Sequence, residues 1–116
     1  MLNSKKINIG ISIGDPNGIG IEIILKVLSE SYLYSECNFI IYSSLDLIAR
    51  QQDFFKIKTL PLKKINSLDG IVSDHINIKE VFSSSKFEFG KNDKEISANG
   101  VISFKEAVKD AKSKKI

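Results

Sequence analysis

Two strand-like segments alternate with two helix-like segments over the first half of the chain, and this order constrains the fold more than any other feature. Residues 7–13 carry isoleucine at every second position, which is the period of a strand. The dense apolar run over residues 19–28 predicts a largely buried helix that ends between Ser29 and Ser31. Residues 37–42 form a continuous apolar run typical of a strand covered on both faces, and the serines that follow can cap a helix over residues 45–54. The order predicts an α/β fold in which a parallel or mixed sheet is flanked by helices.

The second half of the chain gives weaker patterns. Residues 56–89 predict short strands joined by turns. After a polar loop, apolar residues recur at helical spacing and predict an amphipathic helix that runs to about Lys114; they are Val101, Ile102, Phe104, Ala107, Val108 and Ala111. Gly100 lies in the first turns of this helix, where glycine costs about 1 kcal/mol relative to alanine. An α/β pattern would add another strand after this helix, so we expect residues 1–116 to be part of one domain, truncated and without a second domain.

Composition and charge exclude several classes of protein. The chain has 116 residues, of which 42% are hydrophobic and 27% charged, and its formal net charge is +3, so a folded cytoplasmic protein is expected and a nucleic-acid partner is not. The N-terminus lacks the apolar region of a signal peptide, and membrane insertion is not expected. Cys37 has no cysteine to pair with and is expected to be a buried structural thiol. His75, the single histidine, is expected to be an ordinary strand or loop residue.

The turn between the first strand and the first helix is the strongest candidate site. Its sequence, ISIGDPNGIGIE over residues 11–22, places Gly18 and Gly20 where positive φ or close backbone approach is needed. The free amides of the helix that follows form a possible anion site. However, the turn lacks the Lys-Ser/Thr that ends a Walker loop. It also lacks the third glycine of the dinucleotide-binding fingerprint, because position 23 is isoleucine. The carboxylates of Asp15 and Glu22 disfavour a bare phosphate and fit better near a ribose or a cation, or as caps. A structural corner and a ligand-facing loop therefore both stay open.

Two segments resemble a known enzyme family. Residues 14–26, GDPNGIGIEIILK, and residues 96–100, ISANG followed by a helix, are similar to 4-hydroxythreonine-4-phosphate dehydrogenases, whose fold is related to isopropylmalate and isocitrate dehydrogenases. The chain departs from the family at Ile21, where proline is usual, and at Asn17, where a small residue is usual. The resemblance implies the N-terminal portion of such a dehydrogenase.

That resemblance also implies a division of roles. Asp15, Gly18, Gly20 and Glu22 are the expected cofactor-binding residues, and the cofactors are NAD and a divalent metal ion. The metal ligands are expected outside this chain, and no catalytic or metal-binding residue is assigned within residues 1–116.

The activity implied by the resemblance is the NAD-dependent oxidation, with decarboxylation, of 4-phosphooxy-L-threonine in vitamin B6 synthesis. The family acts on this small phosphorylated substrate as a homodimer, and residues 1–116 alone are expected to be inactive. Two alternatives stay open. One is a small non-catalytic α/β binding domain, and the other is a dehydrogenase of a related phosphorylated hydroxy acid such as a threonate phosphate.

Overall fold

A four-stranded parallel sheet with helices on both faces forms the protein. The computed structural model describes residues 6–31, 33–57 and 60–116. The strands are β1 (Asn8–Ser12), β2 (Asn38–Ser43), β3 (Leu62–Ile65) and β4 (Ile76–Glu80), and the helices are α1 (Gly20–Ser31), α2 (Leu45–Phe54) and α3 (Lys94–Lys112). The sheet order is β1-β2-β4-β3, and every neighbouring pair is parallel. The predicted α/β class is confirmed, and the short strands expected between residues 56 and 89 are β3 and β4.

The central strand β2 is buried on both faces, as its continuous apolar run predicts. Ile41 lies opposite Ile11 of β1 and Ile78 of β4. On one face, α1 and α2 pack on the sheet and form the main core, whose buried members are Ile13, Ile21, Leu25, Leu28, Phe39, Ile41, Leu47, Ile48, Leu60, Ile76 and Ile78. Ser44 caps α2 as predicted, because its hydroxyl accepts a hydrogen bond from the amide of Leu47 at 3.1 Å.

Helix α1 has the predicted bounds but not the predicted burial. Ile21, Leu25 and Leu28 are buried, whereas the side chains of Ile19, Ile23 and Val27 are more than half exposed. A helix that packs on one face of a sheet buries a single stripe, so the remaining apolar residues of the dense run face outward. The expectation of a largely buried helix is therefore wrong.

Helix α3 packs on the opposite face through a set of residues that only partly matches the one predicted. It begins at Lys94, after the N-cap Asp93, and its buried residues are Ile96, Gly100, Ser103 and Asp110. Val101 and Phe104 are exposed. The predicted apolar stripe is therefore wrong at Val101 and Phe104, whereas Ala107 is half-buried and packs against the core residues Ile40, Tyr42 and Ile65. Apart from Ile96, the buried residues of α3 are small or polar, and at position 100 the close approach to Gly14 leaves no room for a side chain.

A polar network joins α3 to two strands. The hydroxyl of Tyr42 donates to Oδ2 of Asp110 at 2.8 Å, and Nζ of Lys79 donates to the same oxygen at 2.9 Å. Burial opposes ionisation of Asp110, but the hydrogen bonds from Lys79 and Tyr42 outweigh it and hold the pKa of Asp110 below its usual value. Burial, and then the hydrogen bond to Asp110, raise the pKa of Tyr42 well above its ordinary value.

The remaining sequence expectations concern single residues. Cys37 packs against the main core but is only partly buried, so the prediction of a buried structural thiol is confirmed only in part. It lies just before β2, at the margin of the sheet. His75 lies immediately before β4, and its Nδ1 is 2.9 Å from the carbonyl oxygen of Ser73, as expected of a loop residue. Among the described residues, no helix is long and apolar enough to cross a membrane.

Candidate functional site

The glycine turn lies at the carboxyl end of β1, where ligands bind in open parallel sheets. Gly14 opens it with a φ of 70°, a left-handed conformation that favours glycine. The backbone carbonyl oxygen of Asp15 accepts a hydrogen bond from the amide of Gly18 at 2.8 Å. The side-chain Oδ1 of Asp15 accepts one from the amide of Asn17 at 2.9 Å. The carboxylate of Asp15 therefore caps the turn itself and not the helix behind it.

Close packing explains the two glycines that lead into α1. A Cβ atom at position 20 would lie 2.7 Å from the carbonyl oxygen of Ile13, so no side chain fits without a backbone shift. At position 18 the same atom would lie 3.3 Å from the carbonyl oxygen of Asp15, which is a tight contact. The corner thus has a structural requirement for Gly20 that is independent of any ligand.

Helix α3 packs directly on this turn through three small residues spaced along its inner stripe. A Cβ atom at position 100 would overlap the carbonyl group of Gly14. The hydroxyl of Ser97 donates to Oδ2 of Asp15 at 3.1 Å, and the hydroxyl of Ser103 accepts from the amide of Ile13 at 3.1 Å. The two segments that carried the sequence resemblance therefore touch each other in the fold.

Asn17 fixes the other side of the turn, a role that sequence reasoning missed. Its side chain is buried, with Nδ2 donating to the carbonyl oxygen of Lys91 at 3.0 Å and Oδ1 accepting from the amide of Glu88 at 2.5 Å. Below the turn, Nε2 of the buried Gln51 donates to the carbonyl oxygen of Pro16 at 2.9 Å. The turn is therefore held by α2, by α3 and by the loop that contains residues 88–91.

The first amides of α1 differ from those of α2 in their side-chain partners. At the start of α2, the amide of Leu45 donates to Oε1 of Glu80 at 2.8 Å, in addition to the Ser44 cap. At the start of α1, no side chain of the described residues accepts from the backbone, and Glu22 instead pairs with Lys26 at 2.6 Å. Backbone donors are therefore available to a ligand at α1 and not at α2.

A polar cavity of about 570 Å³ lies beside the first turns of α3. It is lined by Ser83, Ser84, Ser85, Lys86, Asp93, Glu95, Ile96 and Asn99. The hydroxyl of Ser44, at the carboxyl end of β2, donates to the carbonyl oxygen of Ser84 at 2.8 Å. The cavity therefore lies at the same edge of the sheet as the glycine turn.

Comparison with known proteins gives two consistent kinds of match, although no family model matches the chain. The chain is 29% identical over 119 aligned residues to a protein of Clostridium botulinum provisionally named D-threonate 4-phosphate dehydrogenase, covering 88% of this chain and 35% of that protein. It is 29% identical over 109 residues to a protein of Sulfurihydrogenibium named 4-hydroxythreonine-4-phosphate dehydrogenase, and this match covers 94% of this chain and 33% of that protein. A crystal structure of the latter enzyme from Burkholderia phymatum superposes with a TM-score of 0.82 at 20% identity, covering 97% of this chain and 35% of that one.

The resemblance to the 4-hydroxythreonine-4-phosphate dehydrogenase family is therefore confirmed. The structural match, at its low sequence identity, establishes the fold. The relatives are named as dehydrogenases. The chain spans about a third of the length of the curated relatives it matches.

The described residues do not supply a metal site for such a dehydrogenase. In residues 6–31, 33–57 and 60–116, no three His, Cys, Asp or Glu side chains come together to hold an ion. His75 precedes β4, so it lies at the amino edge of the parallel sheet, opposite the glycine turn. The divalent metal and its ligands therefore stay a prediction.

The four predicted cofactor-binding residues lie along one short path from the turn into α1. Gly18 and Gly20 pack against neighbouring backbone, Asp15 bonds to Asn17 and Ser97, and Glu22 pairs with Lys26. Each Asp15 oxygen has one protein partner and keeps a free lone pair. A cofactor role for these residues is compatible with this geometry and stays a prediction.

Proposed function

We propose that this chain is part of an NAD-dependent dehydrogenase that oxidises 4-phosphooxy-L-threonine, with decarboxylation, in the synthesis of vitamin B6. In this proposal, residues 1–116 belong to the N-terminal portion of the enzyme's α/β domain. The observation that carries it is the direct contact between the two family-like segments, at Asp15 with Ser97 and at Gly14 with Gly100. Asp15 and Ser97 are 82 residues apart, and segments this distant that meet at the ligand-binding edge of a parallel sheet are best explained by a shared site.

In the proposed enzyme, the turn and the start of α1 hold the cofactor. The uncapped amides at the start of α1 suit a phosphate group of NAD, and Gly18 leaves the backbone open to close approach. Asp15 offers its free lone pairs to a ribose hydroxyl or a cation, as a charged acceptor. NAD, when bound, accepts the hydride that leaves the alcohol carbon. We assign no step to a metal ion, because the described residues form no ligand set for one.

A second substrate is supported by a specific finding. Matched relatives in Clostridium botulinum are provisionally named D-threonate 4-phosphate dehydrogenase, and the chain is as similar to them as to the 4-hydroxythreonine-4-phosphate dehydrogenase of Sulfurihydrogenibium. Both compounds are small phosphorylated hydroxy acids. A homodimer in the cytoplasm is part of the same proposal.

The test is NADH formation by the full-length polypeptide with each phosphorylated compound and a divalent cation. The proposal predicts turnover with 4-phosphooxy-L-threonine and no turnover by residues 1–116 alone. Turnover with D-threonate 4-phosphate only would replace the substrate and keep the enzyme class. Folded full-length protein that forms no NADH with either compound would overturn the proposal and favour a non-catalytic binding domain.

A further inference from the structure

The cavity beside α3 offers a set of polar groups that the fold does not use. The side chains of Ser83, Ser85, Lys86, Glu95 and Asn99 line it, and none of them has a hydrogen-bond partner among the described residues. By contrast, Asp93 caps α3 by accepting from the amides of Glu95 and Ile96. Unused hydroxyl, amide and carboxylate groups around one cavity are what a polar ligand needs for orientation.

The charges around the cavity select the class of ligand. Two carboxylates, Asp93 and Glu95, face one ammonium group, Lys86, within the lining. The start of α3 is already occupied by the Asp93 carboxylate, so its amides are not free to hold an anion. A phosphate or carboxylate ligand would therefore meet net repulsion, whereas hydroxyl groups can donate to Glu95 and exchange bonds with the amide of Asn99.

We infer that this cavity binds a ligand through vicinal hydroxyl groups, with Glu95 as the charged acceptor and Asn99 as a second partner. Given the proposed NAD-dependent function, on which this choice rests, the diol is a ribose of the dinucleotide. Acidic side chains hold ribose hydroxyls in other dinucleotide-binding folds for the same reason, since a carboxylate accepts from two adjacent hydroxyls. The cavity volume of about 570 Å³ exceeds the space that one ribose fills and admits part of the attached nucleoside.

The position of the cavity supports the same ligand. Asn99 lies on α3 two residues after Ser97, whose hydroxyl bonds to Asp15 of the glycine turn. The cavity and the turn both lie at the carboxyl edge of the sheet. A dinucleotide carries both the phosphates suited to the start of α1 and the diols suited to Glu95.

The test is a titration of the full-length protein with adenosine, in which binding is measured by amide chemical shifts and by calorimetry. Adenosine should perturb the amides of residues 83–86 and 95–99, and 2′,3′-dideoxyadenosine should not. Glu95→Gln should weaken adenosine binding about tenfold through loss of a charge-assisted hydrogen bond. Glu30→Gln, an exposed glutamate at the far end of α1, is the matched control and should bind as the wild type does.

Other outcomes overturn the inference. Equal binding of the two nucleosides, unchanged affinity in a folded Glu95→Gln protein, or perturbation of the same amides by inorganic phosphate or D-threonate but not by adenosine would each do so. Because binding is read without turnover, the two proposals fail separately. NADH formation without adenosine binding removes the ribose site alone, whereas adenosine binding without NADH formation removes the proposed reaction alone.

Discussion

Gly100 of α3 lies so close to Gly14 of the glycine turn that a Cβ atom at position 100 would stand 2.8 Å from the carbonyl carbon of Gly14. Glycine in the first turns of a helix is unfavourable for the helix alone. Here the missing side chain lets α3 approach the turn, so that Ser97 reaches Asp15 and Ser103 reaches Ile13. The helix and the turn therefore depend on each other.

Gly100→Ala should destabilise the protein, although alanine is the better helix former. The added methyl group forces α3 away from the turn, and overpacking of this kind costs about 1–3 kcal/mol. Chemical denaturation measures the free energy of unfolding. Gly70→Ala is the control, because its Cβ would make only ordinary contacts at 3.6 Å with Ile65. A Gly100→Ala protein as stable as the wild type would show that the close approach is not required.

Asn17→Ala should lower stability and loosen the loop that follows Phe87. The substitution removes the hydrogen bonds to the amide of Glu88 and the carbonyl of Lys91, which are part-buried, and each such bond contributes about 0.5–1.5 kcal/mol. Hydrogen exchange at the Glu88 amide should quicken along with the loss in unfolding free energy. The control is Asn92→Ala, since Asn92 is exposed and bonds to no described side chain. If both variants behaved alike, the anchoring role of Asn17 would be refuted.

Asp110→Asn should lower the free energy of unfolding near neutral pH and change how that free energy falls as the pH is lowered. The folded pKa of Asp110 lies below its unfolded value. Its contribution is therefore complete above the unfolded pKa and is lost as the pH falls through the folded pKa. The variant should lose about 1.5–3 kcal/mol at neutral pH, the range for hydrogen bonds to charged groups, and less at low pH. Urea unfolding as a function of pH measures this, and a constant difference at every pH would contradict it.

Local sequence patterns predicted most of the fold. The alternation in β1, the apolar run of β2 and the Ser44 cap each depend on short-range rules, and each is confirmed. The inner stripe of α3 could not be predicted in this way. Apolar spacing points to Val101 and Phe104, yet contact with the turn selects Gly100 and Ser103, and that contact is tertiary.

The candidate site was predicted in part, for a similar reason. The glycines and the two carboxylates mark the turn in the sequence, because strand-to-helix corners have a recognisable composition. The partners of the turn lie far away in sequence: Ser97 is 82 residues from Asp15, and Lys91 is 74 residues from Asn17. No periodic pattern carries such pairings. One feature of the sequence pointed to a special role for Asn17, namely that the family usually has a small residue at this position.

The most direct test of the account is the KM for NAD of full-length Asp15→Asn, compared with wild type and with Ser97→Ala. Asparagine keeps the shape of Asp15 but removes the charge, so KM should rise about tenfold, the effect of one lost charge-assisted hydrogen bond. Ser97→Ala, which removes a protein contact and leaves the carboxylate, should change KM less than about twofold. A folded Asp15→Asn enzyme with the wild-type KM would contradict the claim that the glycine turn binds the cofactor.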